Sequence, residues 1–365
     1  MPLPSKRDLG VLRDRVQTWL TTVLPPDTAP CVSELSVPES SGFSSETLLF
    51  DATWREAGAE RAGRYVVRMR PEMTDFPVFP DYDLSLQYRC LDLVRRHGAA
   101  PVPAAPWFED DERHLGAPFF VMERIEGIAA PDMPPYTFGS WISEASAADR
   151  ARLQERAIAI LARLHAIDLA DADVAFLERP AHGSTPLAQH LGYQRWYYEW
   201  ARDGTRYPLL ERVFAWLEAH RPPESGPPRL NWGDARIGNI LFRDFAPVAV
   251  LDWEMACLGA PEVDLAWGLV MHRFFAELAR DFGRPGVPGF WERNEVVATY
   301  ERLAGRSVEH LEFYEVFAAL RWGIISTRTS RRAVRDGQMP PPDEPDGLIM
   351  HRAMLERMLS GEYWR

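Results

Sequence analysis

One segment near the middle of this 365-residue chain constrains its fold more than any other feature. Residues 231–239 read Asn-Trp-Gly-Asp-Ala-Arg-Ile-Gly-Asn, which places Asp234 five positions before Asn239. An apolar run, a polar turn at residues 243 and 244 and a Val-rich run follow, and the second run ends at Asp252. Two apolar runs joined by turn residues predict a β-hairpin. We therefore expect the hairpin to present these three polar side chains together.

The three side chains are of the types that phosphoryl transfer requires. An Asp and an Asn separated by four residues, followed by a second Asp, match a kinase catalytic loop and its metal-binding Asp. The reaction needs one group to orient the attacking hydroxyl and oxygen ligands to hold Mg²⁺ against the nucleotide phosphates. Asp234 suits the first role, and Asn239 and Asp252 suit the second. The alternative is that Gly-Asp and Gly-Asn are ordinary turn residues between two strands.

At these residues the chain resembles the aminoglycoside phosphotransferase and choline kinase-like family of small-molecule kinases. It is most similar to the bacterial branch related to the kinase-like domains attached to acyl-CoA dehydrogenases, and the resemblance extends over most of the chain. It implies an α+β, bilobal protein-kinase-like fold with a small β-rich N-lobe and a larger helical C-lobe. It also implies that Asp234 is the catalytic Asp and that Asn239 and Asp252 bind Mg²⁺.

Two further residues are interpreted through this resemblance. Family members usually have His where this chain has Trp232, and that His is not the base, so the difference concerns packing beneath the loop. Asp264 matches the family's helix Asp that braces the catalytic loop through its backbone. The alternative for Asp264 is an acid favoured near a helix N-terminus by the macrodipole.

The chain divides by pattern into three parts. Apolar residues at helical spacing predict an amphipathic helix within residues 1–30. Strand-like segments, the first at residues 32–37, and one helix fill residues 31–126, where we expect a nucleotide-binding N-lobe. Helical patterns, the last at residues 347–360, dominate residues 127–365, the expected C-lobe with the catalytic loop and the substrate-binding region.

The expected phosphate clamp lacks a lysine. Lys6 is the only lysine in the chain and precedes the first helix, whereas kinases of this kind hold phosphates with a strand lysine paired to a helix Glu. Arg68, in Tyr-Val-Val-Arg, takes that strand position, and Gln87 takes the position of the Glu. An arginine can contact phosphate oxygens through two N–H groups. The alternative for Arg68 is a surface ion pair of little energetic value.

Other nucleotide contacts follow from the resemblance. The segment Phe-Phe-Val-Met-Glu-Arg-Ile matches the family's hinge, on which adenine forms backbone hydrogen bonds, here at Glu123 and Ile125, with Met122 lining the pocket. By periodicity alone the same segment is an edge strand. Ser41 and Gly42 lie where a phosphate-covering loop would be, or in an ordinary hairpin loop. Glu254 is a further candidate for a metal contact through water.

The substrate side has weaker signals. Arginines recur near helical spacing at Arg321, Arg328, Arg331, Arg332 and Arg335. If they faced a cleft they would favour an anionic substrate such as a hydroxy acid or a phosphate-bearing thioester, but a charged solvent-facing surface is the commoner outcome. The aromatic cluster at residues 196–200 more often packs a helix than lines a pocket, and we expect His165 and His272 to be structural or surface residues.

Composition limits the compartment and the partners. The formal charge of −12 disfavours nucleic acid as a partner, because phosphate binding needs a basic surface. No apolar run is long enough to span a bilayer, and the N-terminus lacks the pattern of a signal peptide. Cys31, Cys90 and Cys257 are widely spaced, which favours reduced thiols in the cytoplasm over disulfides or a zinc site.

These patterns predict an ATP- and Mg²⁺-dependent phosphotransferase that acts on a hydroxyl group of a small molecule. The alternative is a catalytically weak nucleotide-binding regulatory protein of the same fold, which the missing lysine and the residue at 232 favour. A protein kinase is disfavoured, because no Asp-Phe-Gly and Ala-Pro-Glu segment follows Asp252.

Overall fold

The chain folds into two compact units. The computed structural model describes residues 7–38, 46–71, 76–169, 174–224 and 226–365. The first unit comprises Met1–Pro77 and Asp81–Glu126, and the second comprises Val78–Pro80 and Gly127–Arg365. The first is rich in sheet and the second is mainly helical, so the fold is of the predicted α+β class.

The first unit is built on a five-stranded antiparallel sheet with strand order β1-β2-β3-β5-β4. Its elements are, in chain order, α1 (Leu9–Val23), β1 (Cys31–Val32), β2 (Glu46–Glu56), β3 (Ala59–Met69), α2 (Leu84–His97), β4 (Trp107–Glu109), α3 (Glu112–Leu115) and β5 (Phe119–Glu123).

Helix α1 packs against one face of this sheet. Its start is fixed by Asp8, whose side chain accepts hydrogen bonds from the backbone of Gly10 and Val11. Its apolar residues join a buried cluster with alternate residues of β3 and β5, such as Val67 and Val121. The amphipathic helix predicted at the N-terminus is therefore part of the first unit and not a separate element.

The second unit contains the larger helices and two short two-stranded sheets, β6 with β9 and β7 with β8. Its elements are, in chain order, α4 (Trp141–Glu144), α5 (Ala147–His165), α6 (Pro186–Arg202), α7 (Pro208–Ala219), β6 (Arg229–Asn231), β7 (Ile240–Arg243), β8 (Ala246–Val250), β9 (Cys257–Gly259), α8 (Glu262–Asp281), α9 (Arg293–Ala304), α10 (Leu311–Arg335) and α11 (Arg352–Ser360).

The core of the second unit lies where α10 meets α6, α7 and α8. Most of α8 is buried, including its first turn at Glu262 and Asp264. The predicted hairpin is present as β7 and β8, with a turn at Asp244 and Phe245, both of which have positive φ. Across the described ranges, no helix combines the length and the apolar character that crossing a membrane would take.

Some element boundaries differ from the sequence predictions. The expected strand at residues 32–37 is reduced to β1 and an isolated bridge from Ser36 to Leu49, because it follows the edge of β2 irregularly. The expected helix at residues 347–360 is interrupted: Pro345–Leu348 forms a 3₁₀ turn and α11 begins only at Arg352. The aromatic cluster on α6 packs as predicted, with Tyr197 and Tyr198 buried.

Candidate active site

The hairpin brings together the polar residues that the sequence singled out. After β6 the chain forms a loop and a 3₁₀ turn at Ile237–Asn239 before entering β7. The amide of Leu251, at the end of β8, donates to the carbonyl of Asn239 at 2.9 Å. Asn239 therefore lies beside Leu251, the residue that precedes Asp252. Asn239 and Asp252 are both close to Asp234.

Three donors fix the carboxylate of Asp234, which is buried. Its Oδ1 accepts hydrogen bonds from Nε1 of Trp267 at 2.5 Å and from Nε of Arg236 at 3.0 Å. Its Oδ2 accepts from Nδ2 of Asn239 at 2.7 Å. Hydrogen bonds to an ionised group are about twice as strong as neutral ones, so the carboxylate has one well-defined orientation.

Arg236 links this carboxylate to a second one. Its Nη1 donates to both carboxylate oxygens of Asp132, at 2.6 and 2.7 Å. Burial opposes the charge on Arg236, but the carboxylates of Asp234, Asp132 and Asp252 more than offset it, so the pKa of Arg236 is raised. The influence of Asp252 also indicates that its carboxylate belongs to this charged group.

Asp264, at the start of α8, holds the backbone of the loop. Its carboxylate accepts hydrogen bonds from the amides of Trp232 at 2.8 Å and Gly233 at 2.7 Å. Nε2 of His165 lies 3.1 Å from the same carboxylate, and its Nδ1 lies 2.8 Å from the hydroxyl of Tyr300. The bracing role suggested for Asp264 is therefore present, and His165 is structural.

Gly233 allows this loop to pass close to its neighbour. Its φ is +90°, and a Cβ at this position would lie 1.9 Å from the carbonyl oxygen of Met255. Only glycine fits such a left-handed position under a backbone contact of this kind. The backbone before Asp234 is therefore set by sterics as well as by Asp264.

Trp232, which stands where the family has His, ties the loop to the end of the hairpin. Its indole is buried, and Nε1 donates to the carbonyls of Leu251 at 2.8 Å and Asp252 at 3.1 Å. Asp252 itself has φ +62°, a left-handed conformation that Asp tolerates better than most residues. The indole thus supports the backbone that presents the Asp252 carboxylate.

Asn239 and Asp252 have the donor chemistry for a divalent cation. Because Nδ2 of Asn239 is committed to Asp234, the oxygen Oδ1 is the atom left for a ligand. Mg²⁺ in phosphotransferases keeps several ligands from water and phosphate and takes only one or two from the protein. Among the described ranges, no cluster of three or more His, Cys, Asp or Glu side chains is arranged to hold a metal ion.

In the first unit, two of the predicted nucleotide contacts share one face of the sheet. Arg68 pairs with Phe120 and Val66 pairs with Met122 across β3 and β5, and side chains of directly paired residues project to the same face. This face is opposite the one that α1 covers. The ring of Tyr88 on α2 lies 6.4 Å from that of Phe120, so α2 lies on the same side.

The remaining nucleotide candidates have different environments. Gln87 is buried on α2. The amide of Glu123 already donates to the carbonyl of Ala104 at 2.8 Å, so a base could use only its carbonyl. Ile125 follows β5 outside the strand. Ser41 and Gly42 lie outside the described residues.

The row of arginines on α10 does not form a uniform solvent-facing surface. Arg321 and Arg328 are buried, Arg331 and Arg332 are half-buried, and Arg335 is exposed. The guanidinium of Arg328 lies 4.4 Å from the centre of the Trp200 ring. The expectation of a surface role was wrong for the first two, because α10 is a central helix that packs against α6, α7, α8 and α11.

The sequence reasoning missed three residues around Asp234. Trp267 lies three residues after Asp264, a spacing that places both on one face of α8, so its approach to the loop was predictable. Arg236 is two residues from Asp234, and its charge was a usable signal. Asp132 is 104 residues from Arg236, and nothing in the local sequence indicates that pair.

Comparison with known proteins places this geometry in context. The model of the family described as "Phosphotransferase enzyme family" matches residues 41–306. Acyl-CoA dehydrogenase family member 11 of Gallus gallus is 28% identical over 327 residues, which are 85% of this chain and 38% of that protein. Family member 10 of Mus musculus is 28% identical over 281 residues, 74% of this chain and 24% of that protein. The chain thus spans well under half the length of these relatives.

Solved structures share the fold. A proposed aminoglycoside phosphotransferase from Ralstonia eutropha aligns with a TM-score of 0.64 at 20% identity, covering 96% of this chain and 98% of that one. A variant of aminoglycoside phosphotransferase APH(4)-Ia, in complex with AMP-PNP and hygromycin B, aligns with a TM-score of 0.57 at 16% identity, covering 94% and 97%. At these identities the likeness establishes the fold, which is the predicted bilobal protein-kinase-like one.

Proposed function

The chain belongs to the phosphotransferase enzyme family, and we propose that it transfers the terminal phosphoryl group of Mg·ATP to a hydroxyl group of a small molecule. The observation that carries this proposal is the carboxylate of Asp234, which is buried and oriented by Trp267, Arg236 and Asn239. A protein that only binds nucleotides has no need of a carboxylate held in this way. The comparison with APH(4)-Ia supports a nucleotide donor, since that variant is described in complex with AMP-PNP.

In this proposal Asp234 orients the acceptor hydroxyl and accepts its proton as the bond to phosphorus forms. General-base groups of this kind contribute roughly 10²–10⁴ in rate. Asn239 and Asp252 would hold Mg²⁺, which neutralises charge on the phosphate oxygens when it is bound. Arg236 keeps a fixed positive charge beside Asp234, and the pair with Asp132 holds its side chain in place.

In the first unit, Arg68 takes the role of the missing lysine in our proposal. Its planar guanidinium would contact phosphate oxygens from the sheet face that it shares with Met122. Gln87 would help to orient the Arg68 guanidinium through a hydrogen bond. Unlike a Glu at this position, its amide would not neutralise the charge on Arg68. The adenine would lie against Met122 and the backbone of Glu123 and Ile125. A cytoplasmic location is proposed on the basis of three cysteines without disulfides.

The alternative function, a weak nucleotide-binding regulator, retains nucleotide affinity but has no turnover. The test is calorimetric titration of Mg·ATP into the wild type and the Asp252→Ala, Asp234→Asn and Asp281→Ala variants, followed by phosphoryl transfer to a panel of small alcohols. Asp281 is an exposed acid at the end of α8 and is the matched control.

We expect Asp252→Ala to lose metal-dependent binding and Asp234→Asn to bind Mg·ATP nearly normally but turn over at least 10²-fold more slowly. Asp281→Ala should behave as the wild type. Absence of nucleotide binding at millimolar concentrations would refute the kinase proposal. Full turnover in Asp234→Asn would refute the role of that residue.

A further inference from the structure

Arg321, on α10, is a buried cation with an unused donor beside the catalytic loop. Its side chain is 4% exposed, and its Nη2 donates to the carbonyl of Gly233 at 2.9 Å. Its guanidinium lies 4.5 Å from the centre of the Trp267 ring, the ring whose Nε1 contacts Asp234. Its Nη1 is buried and has no hydrogen-bond partner among the described residues.

Arg179 is a second cation that acts on the groups around Arg321. The guanidinium of Arg179 lies 3.8 Å from the centre of the Tyr193 ring. Burial lowers the pKa of His190 to about 3, and both Arg321 and Arg179 lower it further. Burial raises the pKa of the Cys257 thiol to about 11, and the same two arginines oppose that rise. The backbone amide of Arg179 donates to Oε1 of Gln189 at 2.8 Å, which places Arg179 beside the residue that precedes His190, and both arginines act on the neutral His190.

Two neutral polar atoms complete this cluster. Nε2 of His190 and Oδ1 of Asn231 are buried and have no hydrogen-bond partner within the described ranges. A Cβ built on Gly259 would lie 2.6 Å from Nε2 of His190 and 3.6 Å from Nδ2 of Asn231, so these side chains meet over β9. The ring of His190 lies 5.7 Å from that of Phe317, one turn before Arg321 on α10.

The charge balance of this cluster is unusual for the chain. The sequence has 53 Asp and Glu residues and 41 Lys and Arg residues, so carboxylates that could pair with arginines are plentiful. Even so, in the part of the chain that the structure describes, neither Arg321 nor Arg179 has a carboxylate within ion-pair distance, whereas Arg293 and Arg236 do. A buried cation with an unpaired donor is costly unless an anion or a hydrogen-bond acceptor completes it.

We propose that Arg321 and Arg179 form a subsite for an anionic group of the phosphoryl acceptor, and that His190 and Asn231 beside them accept hydrogen bonds from an O–H or N–H group of the same molecule. This inference rests on the proposed function and adds the chemical class of the acceptor: an alcohol that also carries a carboxylate or a phosphate. Arg321 would bind the anion through Nη1 while Nη2 stays on Gly233, the residue next to Asp234. An anion held there leaves a hydroxyl of the same molecule within reach of the Asp234 carboxylate.

The remaining groups suit such a ligand. His190 is neutral, and its ring donates a hydrogen bond to the backbone of Leu258, so Nε2, like Oδ1 of Asn231, accepts a hydrogen bond from an O–H or N–H group of the ligand without repelling either cation. Arg179 and His190 are only partly buried, so Nη1 is approached from the side of the cluster on which they lie. A cationic group at this subsite would meet two guanidinium groups, which disfavours amino sugars that would place an ammonium there.

The test is calorimetric titration of potassium phosphate and, separately, potassium acetate into the full chain saturated with Mg·ADP, which occupies the nucleotide site. The variants are Arg321→Met, Arg321→Lys and Arg179→Met, with Arg302→Met as the control because Arg302 is exposed and paired with Glu155. Thermal unfolding of each variant is recorded first. Arg179→Met decides the question if Arg321→Met does not fold, since Arg179 is only partly buried.

We expect the wild type to bind at least one of the two anions and Arg321→Met or Arg179→Met to weaken that binding by about tenfold or more. Arg321→Lys should retain part of it, and Arg302→Met should match the wild type. A preference for phosphate or for acetate identifies the anionic group. The proposal would be overturned if both Met variants bound the anions as tightly as the wild type does, or if the wild type bound neither anion. Tighter binding of kanamycin than of the anions would also overturn it. If Mg·ADP does not bind, the proposed function is refuted. The anions are then titrated into the nucleotide-free protein, which tests the subsite separately.

Discussion

The indole Nε1 of Trp267 donates to Oδ1 of Asp234 at 2.5 Å, although the two residues are 33 positions apart in the chain. Trp267 lies on α8 together with Asp264, which holds the backbone amides just before Asp234. One helix therefore fixes both the backbone and the side chain of the proposed catalytic residue.

Replacement of Trp267 by Phe should lower kcat by about tenfold or more, because it removes a hydrogen bond to an ionised group while a ring still fills the site. Affinity for Mg·ATP should stay unchanged, since the indole does not belong to the proposed nucleotide site. Steady-state kinetics and calorimetry measure the two quantities. Trp216→Phe is the control, because Trp216 stacks on His220 at the end of α7, away from the loop. An unchanged kcat in Trp267→Phe would mean that the other two donors suffice.

The change Asp264→Asn should destabilise the second unit by about 2–5 kcal/mol. The carboxylate is fully buried and accepts from two backbone amides, and an amide group would turn a donor toward at least one of those N–H groups. Urea unfolding followed by tryptophan fluorescence measures the loss. Asp281→Asn, at the exposed end of the same helix, should unfold at the wild-type midpoint. Equal midpoints for the two variants would show that the brace contributes little.

Removal of the indole N–H in Trp232→Phe should raise the Mg²⁺ concentration required for half-maximal activity several-fold. The indole supports the carbonyls of Leu251 and Asp252, so its loss leaves the backbone at the proposed metal ligand less restrained. Titration of activity with Mg²⁺ at saturating ATP tests this, with Trp216→Phe again as the reference. A variant with wild-type magnesium dependence would show that Trp232 serves packing alone.

Stability should fall as the pH drops below about 6.5. Burial lowers the pKa of His351 to about 4, and it also lowers the pKa of His272 to about 4, whereas both have a pKa near 6.5 when unfolded. The folded state therefore binds fewer protons than the unfolded state. The contribution of these histidines to the free energy of unfolding is complete above their unfolded-state pKa, and it is lost as the pH falls toward their folded-state pKa. Each histidine should contribute a slope of about 1.4 kcal/mol per pH unit in this range.

Urea unfolding at pH 7.5 and pH 5.5 measures that slope. His351→Gln should reduce the difference in the free energy of unfolding between the two pH values, because Gln has no proton to gain. His220→Gln, at the exposed end of α7, should leave it unchanged. A wild-type slope in His351→Gln would show that this histidine does not control the acid response.

The sequence was sufficient for the parts of the fold and site that depend on local pattern. The hairpin of β7 and β8 followed from two apolar runs and a turn, and α8 and α10 followed from helical periodicity. The expected group of Asp234, Asn239 and Asp252 followed from spacing, because residues at the ends of one hairpin must lie close together.

What the sequence could not provide depends on contacts between distant segments. The pair of Arg236 and Asp132 forms across 104 residues, and no periodicity encodes it. The burial of Arg321 and Arg328 depends on the four helices that pack around α10, whereas their spacing alone fits a surface equally well. The truncated strand at residues 32–37 depends on how β1 follows the edge of β2, which apolar content does not determine.

The segment Val78–Pro80 affects the order in which parts of the chain can fold during synthesis. It belongs to the second unit, where the carbonyl of Val78 accepts a hydrogen bond from the hydroxyl of Tyr197 at 2.7 Å, 119 residues later. Once residue 126 has left the ribosome, every residue of the first unit is available, and its core can close around α1 during translation. The contact to Tyr197 must wait for α6 to emerge, so a nascent chain stalled before α6 would hold a finished first unit in which residues 78–80 have not yet made this contact.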